Sequence, residues 1–327
     1  DHLPGGGVGG AAAGQHEVPG AALGQIRRGV QTDRTESTGD QVAAVGPRCE
    51  RRGHLTHDLA DVPGLLAKGI PLKGPVDHAV PVLTVAAADG KLLAILFGYA
   101  CHPTTLSFNQ WCGDYPGFAQ IAIEKRRPGA LAMFVNTCGG DQNPLPRRKV
   151  ELSEKYGQML ADAVEDVLKK PLQPVSPGLR TSFEFVDLPY LHVMTRKELV
   201  AFTKDANAIR KRWAERMLRK LDAGEKFESA YPYPVRAWQL GKEMLVLGLG
   251  GETVVDYSLR FKVKYGPGTW VCGYADDMIA YIPSRRVWLE GGYEGGTSLY
   301  EYGRPALRWA GDIEERMRDR SRADAPL

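Results

Sequence analysis

Every aromatic residue of this 327-residue chain, 9 Phe, 13 Tyr and 6 Trp, lies at or beyond Phe97. Residues 1–60 contain no Phe, Tyr, Trp, Met, Lys or Asn, and are rich in Gly, Ala and Arg. Large apolar side chains are what offset the entropy lost when a chain is ordered. A segment without them has little with which to build a core. The composition therefore predicts little regular structure before about residue 62. Two origins fit it: a flexible Gly/Ala tail, or a stretch read out of frame from a GC-rich gene, which would enrich Gly, Ala, Arg and Pro. The expected organisation is a low-complexity segment over 1–61 and a single α/β domain over 62–327.

The rest of the chain has the means to fold. It is 43% apolar and 25% charged overall, so a disordered or collagen-like chain is excluded. Lys and Arg number 42 against 39 Asp and Glu, a net charge of +3. So close an overall balance leaves no electrostatic footprint for nucleic acid or an anionic membrane. No apolar run reaches the roughly 18 residues of a membrane span. Residue 1 is Asp, and no charged stretch leading into an apolar one follows, so no leader peptide is visible. The cysteines (49, 101, 112, 138 and 272) are few and odd in number, with no C-x-x-C pair. A zinc ribbon or a disulfide framework is not expected.

From residue 62 the pattern alternates between strands and helices. Val82–Ala87 and Lys91–Ala100 are apolar runs joined by Asp89-Gly90, a hairpin signal. Leu131–Cys138 reads as a further buried strand. Between them Pro116–Arg126 reads as a helix with Phe118, Ile121 and Ala122 on its apolar face. Glu151–Lys170 carries a long apolar stripe: Leu152, Tyr156, Met159, Leu160, Ala163, Val167 and Leu168. Thr195-x-x-Glu198 is a capping box, predicted to open one helix running to about Leu221 with Gly224 as its stop. Val235–Leu240 and Glu243–Leu249 form a second hairpin, Thr269–Tyr274 a strand, and Pro305–Met317 a final amphipathic helix. Strands and helices mix without strict alternation, which predicts mixed β-sheets flanked by helices.

Loops at strand ends are where α/β proteins place their chemistry. Four stand out. His102 follows a strand, and Pro103 stiffens the loop behind it; the alternative is a structural histidine. Glu252 follows Gly250-Gly251 at the end of an apolar strand; the alternative is a turn with a solvated Glu. In Gly139-Gly140-Asp141-Gln-Asn-Pro144, consecutive glycines can present N–H groups to an anion or oxyanion; the alternative is a helix-leading turn capped by Asp or Asn. The long stretch Gly273–Ser284 into Glu290–Thr297 brackets Tyr293 and Glu294 with glycines, as a binding loop or a surface loop would. Cys101 and His102 cannot pair as nucleophile and base, because neighbours on an extended chain face opposite ways. His54 and His57 offer a weak H-x-x-H signal.

Taken together, these loops resemble the catalytic half of the neutral, non-lysosomal ceramidases. The resemblance runs from about Lys73 to Arg318. It rests on Gly74-Pro-Val-Asp77, Cys101-His-Pro-Thr104, Gly113-Asp-Tyr-Pro-Gly117, Gly251-Glu-Thr253, Gly273-Tyr-Ala-Asp276, Ala280-Tyr-Ile-Pro-Ser284 and Tyr293–Tyr300. It implies a ceramidase-type α/β fold and a zinc-dependent hydrolase that cleaves the N-acyl amide of ceramide or a related compound. His102, Glu252 and Tyr281 are the implied zinc ligands. Tyr293 is the implied aid to the reacting carbonyl, with Gly139, Gly140 and Asp141 in the neighbouring loop. The implied partner is an N-acyl lipid or other small amide, and a peripheral membrane contact is compatible with it. Members of the family are often secreted or periplasmic.

The chain departs from that pattern twice. The family's second metal histidine, in a His-x-His-type motif, and an upstream arginine have no match in residues 1–72. The loop Gly139–Pro144 is shorter than the family's and lacks its serine. The missing histidine predicts weak zinc binding and slow turnover, and the altered loop argues against a sphingolipid substrate. The competing expectations are a non-catalytic domain of the same fold, or a hydrolase of a polar amide or ester.

Overall fold

A computed structural model of the chain describes residues 26–31, 49–51 and 74–317. The elements, in order, are β1 (Ile26–Gln31), β2 (Cys49–Arg51), β3 (Val80–Ala86), β4 (Leu92–Tyr99), α1 (Asp114–Arg126), β5 (Leu131–Asn136), β6 (Gln142–Pro144) and α2 (Val150–Leu168). There follow β7 (Gln173–Pro174), β8 (Leu179–Pro189), α3 (Arg196–Phe202), α4 (Ala208–Asp222), β9 (Ala230–Leu240), β10 (Met244–Leu249) and β11 (Glu252–Thr253). The last are α5 (Val255–Tyr265), β12 (Trp270–Cys272), β13 (Tyr281–Ile282), α6 (Arg285–Glu290) and a π-helical turn, Tyr293–Thr297. None of the described helices is long and apolar enough to cross a membrane.

Two sheets form the centre. The first has five strands in the order β5-β4-β3-β1-β7, and the second has four in the order β12-β10-β9-β8. In each, one edge pair is parallel, β4 with β5 and β10 with β12. Because side chains alternate along a strand, each sheet feeds two layers. Val82, Ile95 and Phe97 turn to α1 and α2, meeting Ala119, Ile123, Leu160 and Val164. Leu83, with Leu96 and Val135, turns the other way onto Met244, Val246 and Trp270 of the second sheet. The far face of that sheet, with Leu247 and Leu249, packs on Tyr257 and Phe261 of α5 and on Trp309 and Ile313. The order of layers is helices, sheet, sheet, helix, the mixed-sheet architecture expected from the sequence. Truncating a core side chain such as Leu160 to Ala costs about 2–5 kcal/mol in such a setting.

The hairpin signals are realised. Asp89-Gly90 joins β3 to β4, and Gly241, with φ of 56°, turns β9 into β10. Several elements differ from expectation. In α1 the buried face is Tyr115, Ala119 and Ile123, while Ile121 is 63% exposed. Of the face read from the sequence, Phe118 and Ala122 are half-buried and Ile121 points to water, on the opposite side of the helix from Ile123. β5 is an edge strand, not a fully buried one, with Leu131 and Met133 half-exposed. The expected helix from Thr195 is two helices. The Thr195 capping box opens α3, and the Asn207 carboxamide then accepts from the N–H groups of Ile209 and Arg210 to start α4. Of the expected Pro305–Met317 helix, residues 313–317 are helical.

Two strands fall inside the segment for which composition predicts little regular structure. β1 pairs antiparallel with β3, Ile26 opposite Val85, and β2 pairs with β6, Cys49 opposite Pro144. The remainder of residues 1–73, including His54 and His57, lies outside the described residues.

Candidate functional site

The ends of the two parallel strand pairs meet. Thr137, just past β5, forms an isolated bridge with Cys272 at the end of β12, tying one sheet to the other. Substrate crevices of α/β proteins lie beyond the carboxyl ends of parallel strands. Here that position collects the loops after β4, β5, β10 and β12.

Backbone hydrogen bonds fix those loops against one another. The His102 N–H donates to the Gln142 carbonyl at 3.0 Å, and the Gly140 N–H to the Thr253 carbonyl at 2.9 Å. So close an approach excludes side chains. A Cβ on Gly140 would stand 2.5 Å from the Glu252 carbonyl oxygen, and one on Gly251, whose φ is +67°, would stand 2.4 Å from that of Ala280. The glycines read from sequence as an anion cradle serve tight packing, and the Gly140 N–H is already taken. A Cβ on Gly139 would meet the Cys101 backbone at 2.8 Å.

Glu252 and Tyr281 are brought together by a two-strand ladder. β11 and β13 run parallel with Glu252 directly opposite Tyr281, so their side chains leave the same face. His102 completes the group. Its Nε2 lies 3.4 Å from Glu252 Oε2 and 3.4 Å from Tyr281 Oη. All three residues are buried.

Further side chains orient these three. The Tyr274 hydroxyl lies 3.0 Å from His102 Nδ1. Burial pushes the Tyr274 phenol well above its ordinary pKa, and the charge of Glu252 adds to the effect. The Tyr302 hydroxyl donates to Glu252 Oε1, and its pKa too is raised, by burial first and then by that bond. Neither tyrosine stood out as a candidate. Tyr274 was visible only as part of a glycine-bracketed motif, and Tyr302 carried no signal. Tyr293 packs edge-on to Tyr281, ring centroids 5.1 Å apart, and donates to Glu301 at 2.8 Å.

Asp141 stands apart from the cluster. One of its oxygens accepts from the Val255 N–H at the start of α5, at 2.9 Å, and the other meets Arg286 at 3.2 Å. Arg286 also pairs with Asp256 and Glu290. Asp141 therefore orders the helix start. His78 is exposed, outside the cluster. The buried thiols of Cys138 and Cys272 are pushed by desolvation to about 12, which leaves them unreactive near neutral pH.

Among the described residues no group of three His, Cys, Asp or Glu side chains is arranged to hold a metal. The three-donor set exists only if Tyr281 is counted. Two ligands each about 2.1 Å from a tetrahedral zinc stand about 3.4 Å apart. The spacing of His102 Nε2 from each of its two neighbours, 3.4 Å, meets that requirement. One imidazole, one carboxylate and one phenol form a donor set that fits zinc.

No family model matches the chain. No curated protein matches it. Solved structures do. A ceramidase complexed with C2 is 14% identical over 89% of this chain and 51% of that one, with a TM-score of 0.57. A neutral ceramidase from Pseudomonas aeruginosa is 18% identical over 90% of this chain and 52% of that one, with a TM-score of 0.55. The chain has the α/β fold of these ceramidases, and it spans about half the length of each.

Proposed function

We propose that the chain is a zinc-dependent hydrolase of the ceramidase type, cleaving the N-acyl amide of ceramide or a related N-acyl compound. The observation that carries the reading is the convergence of the loop residue His102 on Glu252 and Tyr281 of the β11–β13 ladder, its Nε2 at ligand spacing from both. The shared fold supports it.

His102, Glu252 and Tyr281 would hold the metal. A zinc ion there supplies Lewis acidity toward an amide carbonyl and lowers the pKa of water at the site. With Nδ1–H donating to Tyr274, the His102 Nε2 lone pair faces Glu252 and Tyr281. Tyr302 holds the Glu252 carboxylate in place from its far oxygen. The Tyr293 hydroxyl, donated here to Glu301, is the group that turns to the carbonyl oxygen as charge builds on it. Asp141 acts through α5 and Arg286, as a positioning residue.

A second reading, a non-catalytic domain of the same fold, is favoured by one contact. His102 Nε2 lies 3.1 Å from the Gly140 carbonyl oxygen, which can only accept. With a proton on Nε2 the cluster is a closed polar network. The two readings separate in an assay of fatty-acid release from a short-chain N-acyl amide, with and without added zinc. Release that needs zinc and vanishes in Glu252→Gln supports the hydrolase. Equal, background release from both proteins contradicts it.

A further inference from the structure

The loop between Thr105 and α1 presents aromatic side chains to water. Every residue from Ser107 to Gly113 is exposed. Trp111 is 106% exposed and Phe108 is 41% exposed. Single exposed apolar residues are ordinary, but a Trp with no cover at all on a loop with a fixed base is not. That base is held at both ends. The Leu106 N–H donates to buried Asp114 at 2.9 Å, and Ser153 of α2 donates to the same carboxylate at 3.2 Å.

A second feature is tied to the same base. The Arg148 N–H donates to the Thr105 carbonyl at 2.6 Å. Thr104 and Arg147 both donate to the Asn143 Oδ1, at 3.0 and 3.2 Å. Arg147-Arg148-Lys149 is thereby fixed beside the aromatic loop, and Arg148, Lys149 and Val150 are exposed. The nearest carboxylates along the chain are Glu151 and Glu154 of α2, both exposed; no ion pair with Arg148 or Lys149 occurs among the described residues. An aromatic tip beside consecutive basic residues is the arrangement with which peripheral proteins enter an anionic membrane surface. Trp and Phe settle at the headgroup level, and Arg and Lys meet the lipid phosphates.

We propose that Phe108 and Trp111, with Arg147, Arg148 and Lys149, form a docking surface for an anionic lipid bilayer. The inference stands on the loop and its base, and it does not depend on hydrolysis. If the hydrolase reading is right, the aromatic tip lies six to nine residues from His102 in sequence and delivers the chain to a lipid substrate.

The test is flotation of the full chain with two sets of vesicles, phosphatidylcholine alone and phosphatidylcholine mixed with phosphatidylglycerol, without substrate. Binding to the anionic vesicles, weakened by salt, is expected. Trp111→Ser should weaken it about tenfold or more, by removing the largest apolar anchor. A basic residue near an anionic surface is worth about fivefold, so Arg148→Gln with Lys149→Gln should weaken it by roughly 25-fold and lessen its salt dependence. Trp238→Ser, which removes an exposed indole elsewhere, should change nothing. Melting temperatures of all variants should match the parent. No binding to either vesicle, or equal binding by Trp111→Ser and the parent, overturns the proposal. So does a Trp111→Ser effect confined to self-association.

Discussion

At the residue scale the candidate site depends on a few side chains whose partners come from far along the chain. His102 and Glu252 could be picked out in the sequence because each ends an apolar strand beside a Pro or Gly. Tyr281 is singled out only by the family resemblance, through Ala280-Tyr-Ile-Pro-Ser284. Tyr274 and Tyr302 could not, since their role exists only once β12 and the Leu299–Arg304 turn are folded against His102 and Glu252. Asp141 illustrates the opposite case: a carboxylate in a glycine-rich loop looks catalytic until Val255 and Arg286 appear as its partners. Tyr293 is the residue on which mechanism turns. In Tyr293→Phe the hydroxyl that now meets Glu301 is lost while the ring remains against Tyr281. Steady-state kinetics should show kcat down about 100-fold with KM little changed, the loss of one oxyanion donor. A change confined to KM would assign Tyr293 to substrate binding.

At the element scale local signals were legible and long-range pairing was not. Asp89-Gly90, the Thr195 box and the stripe of α2 each act within a few residues, and each appears as read. The split between α3 and α4 follows from Asn207, whose side chain satisfies two N–H groups. Asn207→Ala should cost about 1 kcal/mol in denaturant unfolding, the usual loss of an N-cap; no change would mean that tertiary contacts alone start α4. The Thr195 box also sets a charge. The Thr195 hydroxyl, then His192, holds the Glu198 carboxyl at about 2, below its ordinary 4.5. A depressed folded value stabilises above the unfolded pKa, and that contribution is lost as pH falls from about 4.5 through about 2. The Glu198 carboxyl resonance should titrate near 2 in the parent and move toward 4.5 in Thr195→Ala. A midpoint near 4.5 in the parent would mean that the box does not form in solution. The β11–β13 ladder, by contrast, is two residues long and has no sequence signature, yet it is what sets Glu252 beside Tyr281.

At the scale of the whole molecule, two stacked sheets tied at their strand ends by Thr137 and Cys272 gather into one buried cluster loops that the sequence could only nominate separately. Composition marked the N-terminal segment as unlike the rest, but said nothing of where its strands would pair. β1 enters the five-stranded sheet beside β3, and β2 lies against β6, immediately after the Gly139–Asp141 loop. The central claim is that this cluster binds zinc through His102, Glu252 and Tyr281. The measurement that tests it most directly is a zinc titration of the full chain in competition with a chelating dye, beside His102→Ala and Glu252→Gln. The account predicts one zinc per chain, held weakly for a set with a single imidazole. Each substitution should lower the affinity by at least the 10–100-fold typical of losing even an outer-shell partner. Zinc bound equally by the parent and both variants, or bound by none of the three, would contradict it.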